Sequence, residues 1–357
     1  MMNIFLITNH SFMLYKFRKE LIKELLKSHN VTLVMPAREF TQEFKDMGCS
    51  IVDIDVDRRG INPIKDLHLL KQYFSLLKSH KPDMVLTYSI KPNIYAGVSA
   101  RWLHIPYCSN ITGLGTAFQK PILASFVTFL YKIGFSKVKT VFFENESNMN
   151  LFLDKHIITK EQACLLNGAG VNLEEFYFAP YEYSNTTRFI FVGRIMKEKG
   201  VDELFEAFQR LIDEGYNVHL DIVGPFEDDY KDVINHLDNH FEYHGFQNDV
   251  RPFLIKNHCL VLPSYHEGMA NTILEASSMG RAVIASDIPG CKEGIVNKQS
   301  GLLVNVKDSH DLYEKMKEFV LMDEHQKQAM GINARHLMEE RFDKMKVVKK
   351  TIENIVK

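Results

Sequence analysis

The chain is poor in the residues that announce special environments. It has one tryptophan and five cysteines in 357 residues. Cys49, Cys108, Cys164, Cys259 and Cys291 are scattered, with no CxxC pair and no Cys/His spacing. That excludes a disulfide-framed secreted domain and a zinc finger, and leaves reduced thiols in a cytosolic protein as the expectation. No apolar run reaches the roughly 18 residues of a membrane-spanning helix, since the best candidate, 121–135, is broken by Lys132. The opening MMNIFLITNH lacks a basic leader region and a long apolar stretch, so it reads as a first β-strand and export is not expected. Neither sign of charge dominates: 43 Lys+Arg stand against 45 Asp+Glu, and no nucleic-acid partner is expected.

What remains is an ordinary globular composition, with 45% hydrophobic and 25% charged residues, enough for two domains of roughly 170 residues. The charge is uneven along the chain: residues 1–180 hold 21 basic against 16 acidic side chains, and residues 181–357 hold 22 against 29, giving +5 and −7. Strand-like apolar runs alternate with helical stretches in both halves, the signature of parallel βαβ units. Strands are predicted at 4–8, 31–35, 51–54, 84–87, 107–111 and 141–143, then at 189–192, 218–223, 260–263, 282–285 and 302–304. The turn-rich stretch NGAGVNLEEFYFAPYEYSN predicts a hinge at 167–186 between domains 1–166 and 187–342.

Two segments of the second half carry chemistry. In FIFVGRIMKEKGVDELFEAF an apolar strand runs out at Gly193-Arg194, and a basic loop closes with Lys199-Gly200 before a helix. In an open α/β sheet the ligand crevice lies beyond the carboxyl ends of the strands, so two cations there suit a diphosphate. In PSYHEGMANTILEASSMG, Glu267 and Glu275 stand eight residues apart around Gly268, with Asn271 and Thr272 as helix-capping residues whose helix would aim N–H groups at an anion.

Together with ASDIPGCKEGI, SGLLV, TGLGTAF and FFENESN, these segments resemble the retaining glycosyltransferases of family 4 over nearly the whole chain. The last two look most like the bacterial members that extend polyprenyl-diphosphate-linked sugars in capsule, O-antigen and N-glycan assembly. The resemblance implies the α/β GT-B architecture, two Rossmann-like doubly wound parallel-sheet domains facing across a cleft, and a C-terminal helix 343–357 packed back on the first, acceptor-binding domain. It implies a UDP-sugar donor held in the second domain by Gly193, Arg194, Lys199, Gly224, Gly245, Phe246, Glu267, Gly268, Met269, Ala270, Asn271 and Glu275. Arg194, Lys199 and Glu267 would carry catalysis, with Glu267 on the sugar and Glu275 on the ribose diol.

On the acceptor side, family members often carry paired glycines in the first βα turn. Here Asn9, His10 and Ser11 stand instead, offering side-chain donors to a diphosphate or hydroxyl. The family's His contact to the donor sugar is replaced by Asn110-Ile111-Thr112, where Thr112 and Gly113 are the substitutes. Gly113-x-Gly115 is a partial dinucleotide fingerprint, but its third glycine is absent and no acidic residue follows at about 20 residues, so a dehydrogenase reading is weak. Asp53-x-Asp55 and Asp55-x-Asp57 read as exposed alternations, and neither cofactor nor metal is expected. The segment QKPILASFVTFLYKIGFSKVK sets Lys120, Lys132, Lys137 and Lys139 around Phe126, Phe129, Leu130, Tyr131 and Phe135; it is either a membrane-interface helix or a buried domain helix. The resulting expectation is a metal-independent transferase acting on a lipid-linked sugar at the inner membrane face. A sugar-nucleotide epimerase and a non-catalytic nucleotide-sugar-binding scaffold are the alternatives.

Overall fold

A computed structural model describes residues 1–56, 62–114, 118, 121–182 and 184–356. Contacts divide the chain into two compact units, Met1–Ala169 with Met345–Lys357, and Gly170–Lys344.

Unit 1 alternates strand and helix: β1 Asn3–Ile7, α1 Ser11–Leu26, β2 Asn30–Met35, α2 Thr41–Asp46, β3 Ser50–Asp53, α3 Pro63–His80, β4 Met84–Tyr88, α4 Gly97–Trp102, β5 Tyr107–Ile111, α5 Pro121–Phe135, β6 Thr140–Phe143, α6 Glu146–Asp154 and β7 Ala163–Leu165. The last strand was not predicted, because three half-buried residues leave too short a pattern to read. All pairings are parallel in the order β3-β2-β1-β4-β5-β6-β7. Successive side chains point to opposite faces of a strand, so Ile4 and Leu6 enter one core with Leu21, Ile22 and Leu25, while Phe5 and Ile7 enter another with Tyr73, Leu77 and Phe135. Both faces are buried, which is why the strands read as continuous apolar runs.

Unit 2 repeats the plan with β8 Thr187–Val192, α7 Val201–Asp213, β9 Val218–Val223, α8 Lys231–Asn235, β10 Phe241–Tyr243, α9 Arg251–Lys256, β11 Cys259–Leu262, α10 Asn271–Ser278, β12 Ala282–Ser286, β13 Gly301–Val304, α11 Ser309–Leu321 and α12 Glu324–Leu337. Its parallel order is β10-β9-β8-β11-β12-β13. The final helix, α13 Lys344–Val356, returns to unit 1, where Val347, Val348 and Ile355 join the core of Ile4 and Leu25. Lys139 and Lys350 of unit 1 cap backbone carbonyls of Ile355 and Leu165 at 3.0 and 2.8 Å.

Residues 170–182 and 184–186 group with unit 2. Val171 is bridged to Asp343, tying the two ends of unit 2 together, and Arg335 donates to the Phe176 carbonyl at 3.0 Å. Tyr181 donates its hydroxyl to the His258 carbonyl at 2.8 Å and lies against the buried Arg281 guanidinium. The boundary between the units, at Ala169 and Gly170, falls inside the predicted 167–186 stretch.

His258 sits among the cations beneath this sheet, its Nδ1 accepting the Arg188 backbone N–H at 3.1 Å. Burial first, then the charges of Lys327, Arg281 and Arg188, push its pKa down from 6.5 to about 4. Between those values the unfolded chain takes up a proton that the folded ring refuses. Its contribution to stability is therefore present above pH 6.5 and is lost as pH falls toward 4, by at most about 3 kcal/mol. His258→Asn, an acceptor that does not titrate, is expected to flatten the acid limb of the urea midpoint against pH; an unchanged limb would rule the group out as its cause.

Candidate active site

The two central strands of unit 2, β8 and β11, pair side by side, and their following connections run to opposite sides, to β9 and to β12. Their carboxyl ends are therefore the topological switch point where open α/β sheets bind ligands. The loop 193–200 leaves β8 there and the loop 263–270 leaves β11 there. The two are locked together: Tyr265 N–H donates to the Glu198 carbonyl at 2.8 Å, and Gly200, at φ +70, faces the Pro263 carbonyl so closely that any Cβ would collide with it. Glycine is required at 200 on both counts.

This lock places Lys199 Nζ in direct contact with Glu267 Oε1, both side chains more than four-fifths buried. Ser264 donates its hydroxyl to the same carboxylate oxygen at 2.8 Å. From behind, Gly290, at φ +90, presses on the Glu267 backbone, accepts the Ala270 N–H at 2.8 Å and donates its own N–H to Glu293 at 2.7 Å. Cys291 is fully buried beside the pair, and burial, with Glu267 next, drives its thiol well above the ordinary range, so it is an inert wall.

Arg194 is not part of this contact: it is half exposed, with Glu227 at 3.6 Å. Gly193 and Gly224 form a tight crossing instead, Gly193 N–H bonding the Val223 carbonyl while the Gly193 carbonyl leaves no room for a Cβ on Gly224. Gly224 N–H in turn donates to Gly245 at 2.8 Å, and Phe246 beyond it is half exposed.

One expectation for the Glu267–Glu275 segment needs correction, the position of the helix cap. Helix α10 starts at Asn271 with Ala270 in the capping position and no side-chain cap, so neither Asn271 nor Thr272 is the cap. Asn271 Oδ1 is buried without a hydrogen bond. Met269 is buried with Val171, Leu274, Leu337, Met338 and Phe342, and Ala270 donates its N–H to the Gly290 carbonyl. Gly268 and Glu275 are half buried, Glu275 one turn into α10.

In unit 1 the switch point lies between β1 and β4. Asn9, His10 and Ser11 follow β1; His10 is the residue before α1 and makes no side-chain cap, and the buried Ser11 donates to Glu39 at 3.5 Å. Thr112 and Gly113 follow β5 and are half buried. Gly115 and Lys120 lie outside the described residues. Sequence reasoning passed over Arg18 and Glu144, which meet at 2.6 Å, both buried, with the guanidinium over the Tyr88 ring. They are 126 residues apart, and no local pattern joins them. Ser264, Gly290 and Glu293 were also missed, although their loops adjoin recognised motifs. Asp53 accepts the Ala37 N–H and Asp55 is exposed beside Arg38, as ordinary surface carboxylates; Asp57 is not among the described residues.

Residues 3–145 match the Glycosyl transferase 4-like family model, and residues 186–321 match Glycosyl transferases group 1. Among curated proteins, the chain is 28% identical over 345 residues to the N,N'-diacetylbacillosaminyl-diphospho-undecaprenol alpha-1,3-N-acetylgalactosaminyltransferase of Campylobacter jejuni, covering 90% of each. It is 29% identical to the UDP-Gal:alpha-D-GlcNAc-diphosphoundecaprenol alpha-1,3-galactosyltransferase of Escherichia coli, over 70% of this chain and 69% of that one. Among solved structures, Anabaena Alr3699/HepE in complex with UDP and glucose superposes with a TM-score of 0.80 at 14% identity, covering both chains fully. This last likeness is one of fold.

Gly200→Ala is expected to separate the two loops that meet at Pro263. Transferase turnover should fall at least about tenfold, the effect of about 1.4 kcal/mol in the barrier, and the thermal midpoint should drop. Wild-type values of both would refute the required-glycine argument.

Proposed function

Since the chain is a glycosyltransferase of the GT-B fold, built from a family 4-like and a group 1 domain, we propose that it moves a hexose or N-acetylhexosamine from a UDP-sugar to a polyprenyl-diphosphate-linked sugar, with retention and without a metal. The Lys199–Glu267 pair at the β8/β11 switch point carries this reading.

Without donor, the ammonium and the carboxylate neutralise each other. A sugar nucleotide offers each a better partner: phosphate oxygens for Lys199, sugar hydroxyls for Glu267. Arg194, half exposed at the end of the same loop, supplies a second cation, and the uncapped start of α10 supplies N–H groups. Diphosphate charge grows as the glycosidic bond breaks, so these contacts strengthen in the transition state and lower the barrier. Glu275 accepts the ribose diol, which a two-oxygen carboxylate suits, and Gly224, Gly245 and Phe246 border the nucleobase. The departing phosphate oxygen takes the acceptor proton as the hydroxyl attacks from the same face.

Both curated relatives are named as alpha-1,3 transferases on undecaprenol diphosphate substrates, and one name specifies UDP-Gal. The usual UDP-hexoses are α at the anomeric carbon, so an α-linked product means retention. Asn9, His10, Ser11, Thr112 and Gly113 are the acceptor-side residues of this proposal.

The decisive experiment measures nucleotide release from UDP-, GDP- and ADP-sugars in EDTA, with and without a polyprenyl-diphosphate-sugar. Acceptor-dependent UDP release is expected. Lys199→Ala and Glu267→Ala should each lower it at least about tenfold with folding intact. Binding of UDP-sugar with no release would favour a non-catalytic scaffold, and a free epimerised sugar would favour an epimerase.

A lipid-linked acceptor brings the enzyme to a membrane, although no helix among the described residues is long and apolar enough to cross one. Helix α5 supports peripheral contact. Its Val127, Tyr131 and Phe135 are buried, while Ile122, Phe126 and Phe129 are exposed at 89, 52 and 59%, with Lys132 and Lys137 exposed at its far end. This outward stripe is suited to the interface of an anionic leaflet. Phe126→Ser with Phe129→Ser should reduce cosedimentation with phosphatidylglycerol vesicles and leave the thermal midpoint unchanged; undiminished binding would exclude α5 as the contact.

A further inference from the structure

One cluster in unit 2 stands apart from the switch-point loops. On the sheet face shared by β9 and β10, His219, Asp221 and Glu242 bring one ring nitrogen and two carboxylate oxygens within 4.8 Å of one another. The register explains it: Asp221 pairs with Glu242, and His219 lies two residues before Asp221, so all three project from one face. His219 is about 13 Å of strand from the carboxyl end of β9, at about 3.3 Å per residue.

The spacing is the informative quantity. His219 Nε2 lies 3.5 Å from Asp221 Oδ1 and 3.7 Å from Glu242 Oε2. An imidazolium between two carboxylates would draw to charge-assisted lengths of about 2.7–2.9 Å. Here Nε2 is closed to solvent and makes no hydrogen bond. Donors around a tetrahedral ion bound at about 2.0–2.1 Å stand about 3.3–3.4 Å apart, close to the two distances that Nε2 makes to the carboxylates. The surroundings hold Asp221 in place: Arg188 and Asn257 donate to Oδ2 at 3.1 and 2.7 Å, and His244 Nε2 meets Oδ1 at 2.6 Å. Such outer partners orient metal ligands. Glu242, more than half exposed, opens a path of entry.

We propose that His219 Nε2, Asp221 and Glu242 bind a divalent transition-metal ion, zinc by their mixed nitrogen and oxygen chemistry, with water in the fourth position. The ion is structural. It clamps β10, a three-residue strand at the edge of the sheet, to β9, and so steadies the turn at Gly245 and Phe246. It takes no part in glycosyl transfer, and the proposal stands or falls independently of the donor reading.

The test is isothermal titration of zinc chloride into the chelator-stripped full chain, with the thermal midpoint followed in parallel. One tight equivalent and a raised midpoint are expected. His219→Gln and Glu242→Gln should each weaken binding at least tenfold and abolish the midpoint rise, while His310→Gln, an exposed histidine on α11, should change neither. Because Glu242 is largely exposed, its variant also guards against a mere folding failure of the histidine variant. No binding by the wild-type chain, or equal binding by both ligand variants, would overturn the proposal.

Discussion

The candidate site depends on one packing constraint, the closure of Gly200 onto the Pro263 carbonyl. Parallel pairing of β8 with β11 brings two loops to the same, carboxyl end of the sheet, but pairing alone leaves their side chains free to diverge. Only a residue without a Cβ, in a left-handed conformation, lets the backbones touch. That touch turns Lys199 and Glu267, 68 residues apart, into an ion pair. Gly290 repeats the device behind Glu267, packing against its backbone, while Lys199 and Ser264 hold the carboxylate itself.

Such a pair has a double character. A partly buried ion pair contributes little net stability, because desolvation offsets much of the Coulomb attraction. What it does achieve is mutual satisfaction of two charges at the carboxyl end of the sheet. The buried Arg18–Glu144 pair of unit 1 shares the chemistry without the access, and its guanidinium is stacked on Tyr88 and held charged by the neighbouring carboxylate against the cost of burial. One of these pairs lies in the loops beyond β8 and β11, and the other is buried within unit 1.

Much of this was legible in the chain. The strands buried on both faces show as apolar runs, and predicted and observed spans agree to within one residue at most ends, as at 107–111 and 218–223. The exceptions are physical. β7 is too short and too exposed to stand out, and the cap of α10 fell on Ala270 because the bond to Gly290 sets where the loop ends, overriding the local preference of Asn271. Likewise, Met269 looks like a loop residue beside a ligand motif, yet its side chain is drawn into a core with Val171 and Phe342 from distant parts of the chain. Residues 167–186 carry the composition of a linker, and only the tertiary structure shows Phe176 and Tyr181 bonded to α12, to His258 and to β12.

The sequence by itself determined the two doubly wound sheets, the alternation that buries them, and which loops carry charge, because these follow from periodicity and turn chemistry within a few residues. Tertiary structure alone decided which charges meet. Glu267 met Lys199 rather than Arg194, the His219–Asp221 face of β9 met Glu242, and Arg18 met Glu144. Strand order sets those partnerships, and strand order is a property of how distant segments pair, to which no local pattern of side chains is sensitive.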